Sequence, residues 1–206
     1  EKQIKLLFPS HFSSKNNECL INQADFTEKC DTLSSQMALI FNFQQNLSDS
    51  YDELLQILDE LLAMNSDSIV FPYNTFNSYS IPRILTILIE QFPNSDVYLK
   101  SFQLSEVLSR DALGARQFCN NGFIQLILQY LSSLFHVIND ENQTIILLLL
   151  RILSNIFSNT DDGMIEYCFP VLELLFESIN EIQNEAIIDP ILMVISKAFN
   201  TLTKYF

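Results

Sequence analysis

Only 3 Gly and 6 Pro punctuate the 206 residues, and no segment alternates apolar and polar side chains with period two. A sheet protein with many tight turns needs far more punctuation than this. Apolar residues instead recur at spacings of three and four in one segment after another, the signature of amphipathic helices. The chain therefore reads as all-α.

The pattern sets the expected elements. Residues 25–46 predict a helix capped by Asp25 or Thr27, with Phe26, Cys30, Leu33, Met37, Ile40 and Phe41 on its core face. Ser50 and Glu53 have capping-box spacing ahead of a stripe of Leu54, Leu55, Leu58, Leu61 and Leu62 that ends near Met64. Residues 66–80 read as a long loop pinned by Phe71, Tyr73, Phe76 and Tyr79. Ser80 is expected to cap a helix with Pro82 in its first turn, running to Phe92. Helices over 97–110, 112–120, 123–138 and 144–158 follow, with Asp111 as a cap and Gly122 as a left-handed terminator. A short helix over 164–168, a second over 170–180 and a last one over 184–205 complete the chain, with Asp189-Pro190 as an internal cap or kink. The 144–158 helix is apolar around most of its circumference, which predicts burial on more than one side.

Charge narrows the classes of function. Lys+Arg number 11 and Asp+Glu 25, a net charge of −14, so the chain would repel a nucleic-acid backbone and could attract basic partners. Acids gather at Asp52, Glu53, Asp59 and Glu60 and again at Asp161, Asp162 and Glu166. Helix capping and solubility explain such clusters as well as a basic partner does. The four cysteines (Cys19, Cys30, Cys119, Cys168) form no CxxC pair, and His11 and His136 stand alone. No metal site and no cofactor is expected, and the thiols read as small hydrophobes in a reducing compartment. His136 has no nucleophile in a recognisable elbow, and no phosphate loop or dinucleotide fingerprint is present, so no catalytic residue is expected. Adjacent carboxylates such as Asp59 and Glu60 diverge on a helix and cannot act as one acid–base couple. No run reaches the roughly 18–20 apolar residues of a membrane span, and no signal-peptide layout opens the chain. Starting on Glu1 rather than Met, the sequence is expected to be a piece of a longer chain.

A recurrence appears in the second half. The segments beginning at Ile81 (IPRILTILIE), Phe123 (FIQLILQY) and Val171 (VLELLFES) start roughly 40–50 residues apart, within the period range of HEAT and armadillo repeats. Residues 119–127 (CNNGFIQLI) look like the "xAGAIPxLV" opening of an armadillo repeat, and residues 149–156 (LLRILSNI) look like its "ALWALSNI" third helix. Residues 167–172 (YCFPVL) are similar to the start of the next repeat. The sequence thus resembles the armadillo/HEAT family, weakly in its importin-α-like branch, over about residues 80–206. The resemblance implies a right-handed armadillo-like α-solenoid of roughly three to four repeats, with residues 1–79 as an N-terminal helical cap or divergent first repeat.

In importin-α-like proteins a Trp and an Asn one turn apart on each third helix hold an extended peptide in a concave groove. Carried onto this chain, the resemblance puts Asn155 at the Asn position with Arg151 where the Trp stands. It puts Phe102 at the Trp position with Glu106 at the Asn position, and Ser196 and Asn200 at the corresponding pair of the last repeat. The chain has no Trp. The expected function is a non-catalytic adaptor or scaffold that binds a peptide or protein through Phe102, Glu106, Arg151, Asn155, Ser196 and Asn200. In that expectation the Asn amides pair with ligand backbone, and Phe102 and Arg151 supply side-chain contacts. Asn155 could equally bond an adjacent turn of its own protein. The alternatives are an importin-α-like nuclear transport adaptor with a degenerate groove, and a structural subunit of a large cytoskeletal or ciliary assembly. The partner is expected to be protein, with no nucleic acid and no membrane insertion. The setting is expected to be the cytoplasm, with shuttling to the nucleus under the transport alternative.

Overall fold

The computed structural model describes residues 24, 27–35, 47–67, 80–159, 165–180, 182 and 184–204. Among them the protein is all-α, with nine helices and no strand. The chain divides into two compact units, Glu1–Ile81 and Pro82–Phe206; the boundary read from the sequence lies at 79/80.

The first unit contains α1 (27–35) and α2 (Leu47–Asp67). Cys30 and Leu33 of α1 are fully buried, as are Leu54, Leu58 and Leu61 of α2, so apolar positions three and four apart do form the inner faces. The Lys29 ammonium pairs with the Glu60 carboxylate, and Gln56 Nε2 donates to the same carboxylate at 3.0 Å. Helix α2 starts before Ser50, so the expected cap at Ser50 is displaced to the helix interior. It also runs to Asp67, past Met64 and into the segment expected to be a loop. The expected helical residues 36–46 and loop residues 68–79 lie outside the described residues.

The second unit carries α3 (Ile81–Gln91), α4 (Asp96–Leu108), α5 (Ala112–Asn120), α6 (Phe123–Phe135), α7 (Asp140–Asn159), α8 (Ile165–Ile179) and α9 (Glu185–Thr203). Local sequence explains most of their ends. Ser80 precedes α3 with φ at 55°, and Pro82 sits in the first turn, where its missing N–H has no helical partner to lose. Ser95 caps α4 by accepting from the Tyr98 amide at 3.2 Å. Asp111 caps α5 by accepting from the Leu113 and Gly114 amides at 3.0 and 3.3 Å. Gly122 joins α5 to α6 at φ +75°, a left-handed conformation that costs a β-carbon-bearing residue about 1 kcal/mol or more. The Asn139 side chain accepts from the Asn142 amide at 2.8 Å. The cap sits there, and α7 begins at Asp140 rather than Thr144.

Of the two prolines inside helices, Pro170 behaves differently from expectation, while Pro190 lies within one helix as the sequence reading has it. Residues 164–168 and 170–180 were expected as separate helices, yet α8 runs unbroken through Pro170. Helix α9 likewise runs unbroken through Pro190. Each proline is the sixth residue of its helix. Each therefore withholds an amide from the carbonyl four residues earlier, on Glu166 and Ala186. Packing holds these helices: Cys168, Val171, Leu172 and Leu175 of α8, and Ile187, Ile191, Val194 and Ala198 of α9, are all buried.

Helix α7 is the hub of the unit. It packs against α4, α5, α6 and α9, and Ile146, Leu149, Leu150, Ile152, Leu153, Ile156 and Phe157 are buried around it. This is the many-sided burial its sequence predicts. Helix α8 packs on α6 and α9. Among the described residues, α9 is long and apolar enough to cross a membrane by length and composition, although Asp189 and Lys197 interrupt its apolar run. Its buried face packs on α7 and α8 as the face of a core helix does.

A closed aromatic block joins α4, α5 and α6. The Phe102 ring meets Tyr98 at 4.8 Å, Tyr130 at 5.8 Å and Phe123 at 6.0 Å between centroids, and Phe118 meets Phe123 at 4.5 Å. The edge-to-face arrangement of Phe102 against both tyrosines is a favourable geometry for ring quadrupoles.

Candidate functional site

The long-range side-chain bonds of the second unit share a spacing. Tyr130 Oη reaches the Ile89 carbonyl, 41 residues back, and Tyr167 Oη reaches that of Cys119, 48 back. Asn155 Nδ2 reaches Glu106, 49 back, and Asn159 Nδ2 the Ser109 carbonyl, 50 back. Asn184 Nδ2 reaches Gln143, 41 back, and Lys197 Nζ reaches Ser154, 43 back. Helices α4, α7 and α9 are thereby stapled in series, as are α3, α6 and, through the α5 end, α8.

The six side chains expected to bind a partner fall into three groups. Phe102 is fully buried in the aromatic block; this corrects its expected place on a ligand groove, because no part of the ring reaches the surface. Glu106 and Asn155 are half-buried and spend their groups on each other. Asn155 Nδ2 lies 3.2 Å from the Glu106 carbonyl, 3.3 Å from Glu106 Oε1 and 3.1 Å from Ser109 Oγ. Glu106 also pairs with Arg110 at 2.6 Å. The Asn155 amide hydrogens thus bond an adjacent helix of the same protein, the alternative that the sequence left open, rather than standing ready for a ligand backbone. Arg151, Ser196 and Asn200 are exposed.

Helix α7 shows how the exposed group is positioned. Asn155 turns toward α4, and Ser154 turns toward α9, where its hydroxyl accepts from Lys197 Nζ at 2.6 Å. Between these two seams the helix presents Thr144, Arg151 and Ser158 outward, positions that fall on one stripe of a 3.6-residue helix. On α9, Asp189, Ser196 and Asn200 are among the exposed positions.

Sequence reasoning missed Lys197. Its ammonium bonds both the Ser154 carbonyl (3.2 Å) and the Ser154 hydroxyl (2.6 Å), and burial lowers its pKa from the usual lysine value. A serine beside a lysine can be a nucleophile and its base. Here the lysine points its hydrogens at a helix carbonyl, and the hydroxyl lies in the middle of α7 with 6% of the residue exposed. Amides in a helix interior are already bonded within the helix and offer no oxyanion donors. The pair acts as a brace between α7 and α9. An alternating apolar stripe gives no hint of it, because Lys197 occupies a seam position only once α9 is docked.

Burial pushes the thiols of Cys30 and Cys119 up to about 12 and raises that of Cys168, so they stay protonated and unreactive at neutral pH. His136 is exposed at the end of α6. No three His, Cys, Asp or Glu side chains converge on a point among the described residues. In the first unit a hollow of about 300 Å³ lies over Glu28, Lys29, Glu53, Gln56 and Glu60; its carboxylates are spread along helix surfaces, and one already holds Lys29. Of the expected acidic clusters, Asp161 and Asp162 lie outside the described residues.

No family model, no curated protein and no solved structure matches the chain.

Proposed function

We propose that this protein is a non-catalytic protein-interaction module, an adaptor or scaffold whose residues 80–206 form an armadillo-like right-handed α-solenoid and whose residues 1–79 form a cap or divergent first repeat. The recurrent bonds 41 to 50 residues apart support the repeat reading, since each repeat of a solenoid touches only its neighbours at a fixed sequence step. The observation that carries the function is the outward stripe of α7 between its two seams, with Arg151 at its centre and Ser196 and Asn200 exposed on the next helix. A partner in extended conformation would lie across α7 and α9, with Arg151 taking a carboxylate or carbonyl and Asn200 pairing with backbone amides. Phe102 has no part in it, and Glu106 and Asn155 hold the helices that carry it. Under this reading the setting is the cytoplasm and the partner is protein rather than nucleic acid.

Selection from a random-peptide display library against the wild-type protein and an Arg151→Ala/Ser196→Ala/Asn200→Ala triple variant tests the reading. A peptide motif enriched on the wild type and lost on the variant supports it. Equal enrichment on both, or none on either, overturns the site. The seven large apolar side chains exposed among the described residues of the second unit favour a second reading, a structural subunit of a larger assembly, in which those surfaces are buried by neighbours.

A further inference from the structure

Five of those seven side chains lie on the last two helices; Met193 turns its sulfur to Ser154 Oγ of α7, and the other four gather on one face. On α8, Phe169 (59% exposed) and Phe176 (45%) are seven residues apart, and on α9 so are Leu192 (48%) and Phe199 (45%). Seven residues make two helical turns, so each pair lies on one stripe. The Phe176 and Phe199 rings meet across the helices at 6.1 Å between centroids, which joins the two stripes into one outward apolar face. The burial that α8 and α9 make on α6 and α7 uses their opposite sides.

Charge around this face has one sign. Glu166, Glu173 and Glu177 of α8 and Glu185 and Asp189 of α9 are all exposed. The two lysines of α9 leave that rim uncompensated: Lys197 is tied to Ser154 on the α7 side, and Lys204 lies at the far helix end, past Thr203. Glu173 sits between Phe169 and Phe176 on the same stripe. A second copy of this face would bring five acids against five acids. An anionic lipid surface would be repelled in the same way. An amphipathic helix with apolar anchors at i, i+4 and i+7 and Lys or Arg on both flanks satisfies the apolar stripe and the acidic rim together.

We propose that the outer face of α8 and α9 docks a basic amphipathic helix of a partner protein, its apolar anchors against Phe169, Phe176, Leu192 and Phe199 and its cations against Glu173, Glu177 and Asp189. The face adjoins the surface proposed above at Ser196, which lies between Leu192 and Phe199 on the same stripe of α9, and it is tested apart from that surface at Arg151 of α7.

The probe is a pair of synthetic helical peptides with identical Leu anchors and one Trp, one flanked by Lys and the other by Glu. The chain has no Trp of its own, so peptide Trp fluorescence reports binding without background. The full chain is expected to bind the Lys-flanked peptide at least tenfold more tightly than the Glu-flanked one. Phe176→Glu/Phe199→Glu is expected to abolish binding with an unchanged circular dichroism spectrum, because both rings are exposed. Glu173→Lys/Glu177→Lys is expected to reverse the preference while keeping the apolar anchors, and Arg151→Ala, on α7, to bind as wild type does. Equal affinity for the two peptides, no saturable binding of the Lys-flanked one, or binding indifferent to the Phe176/Phe199 change overturns the proposal. So does a dimer in sedimentation that the Phe176/Phe199 change dissolves, which would make a second copy the occupant.

Discussion

Phe102 and Phe199 are the same residue on helices of the same kind, and they meet opposite ends. Phe102 lies between α4 and α6, with Tyr98, Phe123 and Tyr130 around it and none of its surface in water. Phe199 touches Phe176 and leaves 45% of itself exposed. The difference is one of layers. Helix α7 and the rings of α6 pack against α4, whereas no described helix stands over the outer side of α8 and α9. Helical periodicity says which residues share a stripe, and the number of neighbouring layers decides whether that stripe is core or surface.

The largest test of this contrast is truncation of each ring. Phe102→Ala is expected to cost about 3–5 kcal/mol in urea unfolding, as buried aromatic truncations do. Phe199→Ala is expected to fall within about 0.5 kcal/mol of wild type. Equal losses would mean that the outer face is covered in solution. The seam at Asn155 comes next. Asn155→Ala removes the amide that links α7 to Glu106 and Ser109 and is expected to cost about 1–2 kcal/mol, while Arg151→Ala, one turn away and exposed, leaves the unfolding midpoint unchanged. If Asn155 were a ligand clamp alone, both substitutions would leave stability unchanged.

The closed region also holds a flaw. The Ser101 hydroxyl, next to Phe102 on α4, is buried without a hydrogen-bond partner. Ser101→Ala removes that desolvated group and is expected to raise stability by about 1 kcal/mol, visible as a higher urea midpoint with an unchanged slope. The smallest effect belongs to the first unit. Hydrogen bonds from Lys29 and then Gln56 hold the Glu60 carboxyl below its usual 4.5. A carboxylate with a lowered folded-state pKa contributes its stability above the unfolded value and loses it as pH falls through the folded one. The wild-type advantage over Glu60→Gln is therefore expected to be present at pH 6 and to shrink as pH falls below the usual carboxylate value, as a small difference in urea midpoints, because the pair is only half-buried.

The helices themselves were legible in the sequence. Spacing of apolar residues located every helix of the second unit, and the Asp111 cap and the Gly122 turn follow from residue chemistry alone. Where the reading erred, a tertiary term outweighed a local one. Pro170 argues for a break, and the buried residues after it keep α8 whole. For the expected site, only exposure and internal bonding can be read. Arg151, Ser196 and Asn200 are exposed, and Asn155 faces a neighbouring helix as one of its two sequence readings allowed. The burial of Phe102 was hidden because a pattern borrowed from a family that the sequence resembles says nothing about which rings fill the space beneath it. Lys197 was hidden because its partner lies 43 residues away.

The prolines of α8 and α9 divide each helix unequally. Ahead of Pro170 and of Pro190 stand five residues that surrender one rung of the helical ladder. These opening turns should be the least protected parts of their helices, releasing amide protons to solvent well before the segments behind them. Phe169 rides on the opening turn of α8, directly before Pro170. The outer apolar face is therefore expected to be unevenly protected, its Phe169 edge held by the Tyr167–Cys119 bond beside one missing rung and its Phe176–Phe199 edge backed by an unbroken ladder.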